Sequence, residues 1–105
     1  MDPIDPTTRV AFAPEKLTKT NLFDSPRMFL DVYGLLPGQA QKPHAHADAD
    51  KFYLALEGSG LVTIGSREVR LERGHVVVCP AGEDHGVRND TDANLVLLVS
   101  MTKAH

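Results

Sequence analysis

The sequence predicts an all-β domain, either an antiparallel sandwich or a small barrel. Strong turn signals built on glycine and proline recur about every eight to ten residues. The segments between them are rich in β-branched side chains, as in residues 75–79. No segment keeps a helical hydrophobic period for three turns. This combination is typical of antiparallel sheet proteins.

The size and charge of the chain limit the possible partners. It has 105 residues, enough for one domain with a modest core. The formal net charge is -3, with lysines and arginines scattered singly, so we expect neither nucleic acid nor a membrane as a partner. A single cysteine excludes an internal disulfide. The first six residues contain neither a basic patch nor an apolar run, and the expected location is cytoplasmic.

The beginning of the chain predicts an arm followed by an edge strand. Residues 1–8 carry two prolines, two aspartates and two threonines, and are expected to form a mobile N-terminal arm. Residues 9–105 are expected to form one barrel domain. Val10 and Phe12 alternate with small residues, which predicts a short edge strand.

The rest of the chain predicts a succession of strands. Residues 15–21 are polar, and residues 24–26 predict a turn. Gly65-Ser66 predicts a two-residue hairpin connection. The predicted strands are residues 28–36, 51–57, 61–64, 68–71, 75–79, 85–88 and 94–101.

A histidine-rich stretch precedes the strand of residues 51–57. Residues i and i+2 of a strand point to the same face, so His44 and His46 are expected to present adjacent imidazoles. Two neighbouring imidazoles on a stiff support are the usual beginning of a transition-metal site. His85 is the candidate for a third ligand.

Two spaced motifs contain these histidines. The first is Gly38-x5-His44-x-His46-x4-Lys51-x6-Gly58, and the second is Gly74-x5-Pro80-x-Gly82-x2-His85-x3-Asn89. Together they resemble the paired motifs of the cupin family, G-x5-HxH-x3,4-E-x6-G and G-x5-P-x-G-x2-H-x3-N. The second motif matches at every defined position. The first departs at its carboxylate, where Lys51 stands in the place of glutamate.

The resemblance implies a jelly-roll fold, a double-stranded β-helix or cupin barrel, with a divalent metal inside it. Carried over to this chain, the ligands are His44, His46 and His85, and the metal is Fe, Zn, Ni, Mn or Cu. Lys51 leaves three alternatives for the missing carboxylate. In the first, the spacer is three residues and Asp50 supplies the carboxylate. In the second, three histidines suffice, as in cysteine dioxygenase and the β-diketone dioxygenases. In the third, Lys51 replaces the charge of the metal, and the metal-free pocket binds a small anion.

Strand alternation argues against the Asp50 alternative. Alternation counted back from Gly58 places Lys51, Tyr53 and Ala55 on one face and Asp50 on the other. Alternatively, the long Lys51 side chain extends to solvent at the barrel mouth.

Two functions follow from the resemblance. The first is a metal-binding cupin acting as a dioxygenase or isomerase on a small molecule, with Lys51 or Tyr53 orienting the substrate or moving a proton. The alternative is a non-catalytic module that binds or senses a small ligand with weak or no metal. Either form is expected to be a homodimer, in which residues 9–14 exchange between subunits.

Overall fold

The computed structural model describes residues 1–103 and contains nine strands within that range. Residues 104 and 105, the end of the expected domain, lie outside the described residues. The strands are β1 Thr18–Asp24, β2 Met28–Leu35, β3 Ala40–His44, β4 Lys51–Glu57, β5 Gly60–Ile64, β6 Arg67–Leu71, β7 Val76–Cys79, β8 His85–Arg88 and β9 Leu95–Thr102.

The strands form two antiparallel sheets. One contains five strands in the order β1-β2-β9-β4-β7, and the other contains four in the order β3-β8-β5-β6. Consecutive strands often lie in different sheets, as expected when a long hairpin winds into a jelly roll. The predicted all-β fold and double-stranded β-helix are confirmed.

The core lies between the two sheets and is built by alternation. Lys51, Tyr53 and Ala55 of β4 are buried, whereas Phe52 and Leu54 between them are partly exposed. The apolar cluster draws from both sheets, with Leu97 from the five-stranded sheet and Val62 and Val87 from the other. Inward residues of both sheets therefore surround one interior, as in other small barrels.

Two turns show why glycine is needed where the sequence has it. Ile64 pairs with Arg67, so Gly65-Ser66 forms the predicted two-residue hairpin, with Gly65 at a φ of 61°. Gly58 directly follows β4 with a φ of 74°, and a Cβ there would lie 2.3 Å from the Asn94 carbonyl oxygen. Side chains are excluded at Gly58 both by conformation and by space.

The N-terminal part differs from the prediction. Residues 10–12 form no strand, so the predicted edge strand is wrong. The segment instead crosses over Gly34, where a Cβ would lie 2.2 Å from the Ala11 carbonyl oxygen. The arm contains one 3-10 turn, Pro6–Thr8, capped by the Asp5 side chain; its mobility stays a prediction. Among the described residues, no helix has the length and apolar character of a membrane span.

Two strands were not predicted. β1 is polar, but it pairs along β2 at the edge of its sheet and exposes alternate side chains. β3 contains Pro43, which cannot donate a ladder hydrogen bond and is tolerated because β3 is also an edge strand. These two edge strands carry residues that line the candidate site.

Candidate metal centre

Three histidines converge at one end of the four-stranded sheet. His44 ends β3, His85 begins β8, and the two residues are directly opposed in the ladder. His46 lies just beyond the end of β3, so a loop rather than the expected strand presents it. The ring centroids are 4.9 Å (His44–His46), 4.6 Å (His44–His85) and 5.4 Å (His46–His85) apart. One ring nitrogen from each histidine lies within 4.8 Å of the other two.

Backbone contacts leave a free lone pair on two of the rings. His44 Nδ1 lies 3.0 Å from the Lys42 carbonyl oxygen, which can only accept, so Nδ1 is the donor and the neutral ring has its lone pair on Nε2. The His85 ring bonds the backbone of Glu83. Its Nε2 is buried and has no hydrogen-bond partner. A metal ion is a partner that such an orphaned nitrogen can use, because ligating histidines commonly bond a carbonyl through the other ring nitrogen.

The surroundings of His85 and His46 favour their neutral forms. Burial, followed by the charge of Lys51 and the proximity of His44, lowers the pKa of His85 to about 4. Burial and the same two neighbours also lower the pKa of His46. Neutral imidazole is the form that binds metal ions, so these two rings need lose no proton at neutral pH.

Lys51 points into the barrel. Its side chain is only 3% exposed, so extension to solvent is wrong, and the face predicted by alternation is confirmed. Its Nζ donates to Gln41 Oε1 at 3.3 Å and lies 5.0 Å and 5.6 Å from the ring centroids of Tyr53 and Tyr33. Burial, and then the charge of Lys19, lower the pKa of Lys51 to about 8. The group is therefore still mainly an ammonium at pH 7.

Tyr53 is tied to a residue that sequence analysis missed. Its hydroxyl donates to Gln41 Oε1 at 2.6 Å, and burial raises its pKa, so it keeps its proton. Gln41 thus links Tyr53 to Lys51. Gln41 occupies an unspecified position of the first motif, between Gly38 and His44, so the motif gave no reason to single it out.

Asp50 lies apart from the histidine cluster. The residue is exposed, and its Oδ1 accepts a hydrogen bond from the Ala81 amide at 2.9 Å. The group of potential ligand atoms found among the described residues contains the three histidines without Asp50. This arrangement favours the three-histidine alternative over the one with an added carboxylate.

An open cleft of about 790 Å³ is lined in part by Gln41. Gln41 also contacts Lys51 and Tyr53, so this residue connects the cleft with the polar interior of the barrel. A space of this size is within the usual range for small-molecule sites. Its lining is Ala13, Glu15, Lys16, Leu17, Thr18, Lys19, Ala40 and Gln41.

Comparison with known proteins agrees with the fold and the motifs. The model of the cupin domain family matches residues 31–101. The tetracenomycin polyketide synthase protein TcmJ of Streptomyces glaucescens is 34% identical over 74 residues, which are 69% of this chain and 50% of that protein. The dimethylsulfoniopropionate lyase DddW of Ruegeria pomeroyi is 38% identical over 59 residues, 56% of this chain and 38% of that protein. The matches thus span half or less of these two relatives.

A solved structure agrees over nearly the whole chain. The protein TT1209 from Thermus thermophilus superposes with a TM-score of 0.95 at 44% identity, covering 98% of both chains. Together with the family match over residues 31–101, this confirms the resemblance that the two motifs indicated. The chain belongs to the cupin domain family.

Proposed function

We propose that this protein binds one divalent transition metal through His44, His46 and His85 and acts on a small molecule at that metal. The observation that carries the proposal is His85 Nε2, which is buried without a partner among two other imidazoles. Leaving a buried polar atom unpaired costs about 1–3 kcal/mol, and a metal ion would remove that cost.

Three neutral imidazoles suit Fe, Zn, Ni, Mn or Cu and leave coordination positions for a ligand. A bound metal would supply Lewis acidity toward an oxygen of the small molecule. This chain's own residues would bind and orient that molecule. Lys51 has an ammonium proton to offer, since a pKa of about 8 lies close to neutral pH.

Tyr53 is better suited to positioning than to proton transfer. Its hydroxyl hydrogen is engaged with Gln41 Oε1, and its pKa is raised by burial. The hydrogen bond fixes the Gln41 carboxamide, which in turn accepts from Lys51. We therefore assign Lys51 the contact with the small molecule and Tyr53 the task of holding Gln41.

The names of the relatives support action on a small molecule. One is a lyase of dimethylsulfoniopropionate, and the other is a protein of polyketide synthesis. One observation favours the alternative function, a module without metal: the buried Lys51 ammonium stands in the position where the family motif has a carboxylate. A cation there weakens the binding of a second cation.

The proposed assembly is a homodimer. Val76 and Val78 on edge strand β7 are 58% and 57% exposed, and Phe52 pairs beside Val78 on the same outer face. Burying such side chains against a second copy would be favourable. Analytical ultracentrifugation should give twice the chain mass for the natural protein and the monomer mass for a Val76→Lys, Val78→Lys variant. A monomeric natural protein would contradict this assignment.

The metal proposal is tested by metal analysis of protein purified without chelators or nickel affinity resin. We expect about one metal per chain, or uptake of one equivalent on titration. His44→Ala and His85→Ala should abolish uptake, whereas His75→Ala, an exposed histidine outside the cluster, should not. Protein that contains no metal and takes up none on titration would overturn the proposal.

A further inference from the structure

Lys51 is a buried cation without a carboxylate partner among the described residues. The ion pairs found there join other residues, and the Lys51 ammonium has Gln41 Oε1 as its hydrogen-bond acceptor. Asp31, whose charge acts on Lys51, instead accepts a hydrogen bond from Asn21 at 2.8 Å. A buried charge is costly unless it is paired. The Lys51 ammonium has three N–H donors, so it can donate further hydrogen bonds to an anion.

A second lysine faces the same tyrosine ring. Lys19 lies opposite Tyr33 in the β1–β2 ladder, and its Nζ is 5.4 Å from the Tyr33 ring centroid. The Lys51 ammonium is 5.6 Å from the same centroid. Next to burial, the charge of Lys19 is the main reason that the pKa of Lys51 is lowered. An anion placed between the two ammonium groups would replace this repulsion with attraction to both.

The cleft borders Lys19 directly and Lys51 only through Gln41. Lys19 and Gln41 both line it, and Gln41 contacts Lys51. Lys19 is exposed, whereas Lys51 is buried and is not part of the lining. A small anion in the cleft would meet Lys19 directly, and it would reach Lys51 by replacing the Gln41 carboxamide as the hydrogen-bond acceptor.

We propose that the inner end of this cleft is a carboxylate subsite, in which a small organic acid lies between Lys51 and Lys19 beside Tyr33. The inference deepens the proposed function by naming the class of small molecule, and it rests on that function only for the role of the metal. The subsite is built from residues outside the histidine cluster.

The charge balance of the barrel supports this class of ligand. Three neutral imidazoles bring no negative charge to a divalent metal, and Lys51 adds a positive charge where the motif has a carboxylate. The negative charge that compensates these cations must therefore come from the ligand. A neutral small molecule would leave the buried ammonium unpaired.

The test uses metal-free protein, so that the subsite is measured without the metal. Chelator-treated, isotope-labelled protein is titrated with lactate, and with lactamide as the neutral molecule of the same shape, while NMR follows the backbone amides. We expect saturable shifts around β1, β4 and Gln41 with lactate and none with lactamide. Equal binding of the two compounds, or no binding of lactate, would overturn the proposal.

Variants separate the subsite from general attraction to positive charge. Lys51→Met should raise the dissociation constant of lactate about tenfold or more, because a charge-assisted hydrogen bond is lost. Lys19→Gln, a substitution of an exposed residue, should raise it about threefold. Arg73→Gln removes the same charge from an exposed position outside the cleft and should leave it unchanged. Equal affinities for Lys51→Met, Lys19→Gln and the natural protein would overturn the proposal.

The two proposals fail separately. Metal uptake by the histidines together with absence of lactate binding would refute the subsite alone. Lactate binding by protein that takes up no metal would support the subsite and contradict the metal centre.

Discussion

Replacing Lys51 with methionine should stabilise the metal-free protein at pH 7. The side chain is 3% exposed and mainly charged at that pH, so the folded state bears the cost of burying an ammonium. Methionine has a similar length and no charge, and it can pack against the rings of Tyr33 and Tyr53 that flank the ammonium.

The size of the effect follows from the pKa of Lys51. Its ordinary value is 10.5, and its value in the folded protein is about 8. At 1.36 kcal/mol for each tenfold change in proton affinity, this difference corresponds to about 3 kcal/mol at pH 7. Loss of the hydrogen bond to Gln41 reduces this stabilisation by about 1 kcal/mol. We expect a net gain of about 2 kcal/mol, or an increase in Tm of roughly 10 °C.

The pH dependence of the gain identifies its cause. The folded-state pKa lies below the unfolded-state value, so between pH 8 and 10.5 the unfolded state binds more protons and the natural protein gains stability as pH rises. The advantage of Lys51→Met should therefore be constant below pH 8, disappear at about pH 10 and become a small loss at higher pH, where only the missing hydrogen bond contributes. Urea unfolding from pH 6 to 10.5 measures it, with Lys16→Met as an exposed control. A destabilised variant at pH 7, or a gain independent of pH, would refute the reasoning.

Three further predictions concern the metal centre and the scaffold. Lys51→Glu should raise metal affinity at least tenfold in calorimetric titrations, because it replaces a repelling cation with an anionic ligand; unchanged affinity would show that Lys51 does not affect the metal. His85→Ala should lose metal binding while His75→Ala keeps it, as measured by equilibrium dialysis; equal loss in both would contradict the three-histidine site. Gly58→Ala should cost at least about 2 kcal/mol, because it adds a steric clash to a left-handed conformation, whereas Gly74→Ala, with open space around it, should cost about 1 kcal/mol. Chemical denaturation compares the last pair, and equal losses would show that the clash is relieved.

The fold was predictable where local signals agree with the tertiary structure. Strand β4 alternates inward and outward residues, and Gly65-Ser66 sets a hairpin, so both could be predicted from neighbours in sequence. β1 could not be predicted because it is polar, and β3 could not be predicted because it contains a proline. What stabilises these strands is pairing with β2 and β8, and a partner strand is not visible in a local pattern.

The same limit applies to the candidate site. The convergence of His44, His46 and His85 could be predicted because the two motifs that contain them resemble those of the cupin family. Gln41 and Lys19 were missed, since their contacts with Tyr53 and Tyr33 depend on which strands lie side by side. The burial of Lys51 was one of two alternatives, and only the packed barrel decides between them.

The most direct test of the account is an anomalous diffraction map from a crystal of metal-loaded protein, recorded on both sides of the metal's absorption edge. We predict one strong peak per chain among the ring nitrogens of His44, His46 and His85. A fully loaded crystal with its peak at other residues, or with these imidazoles directed away from it, would contradict the three-histidine centre.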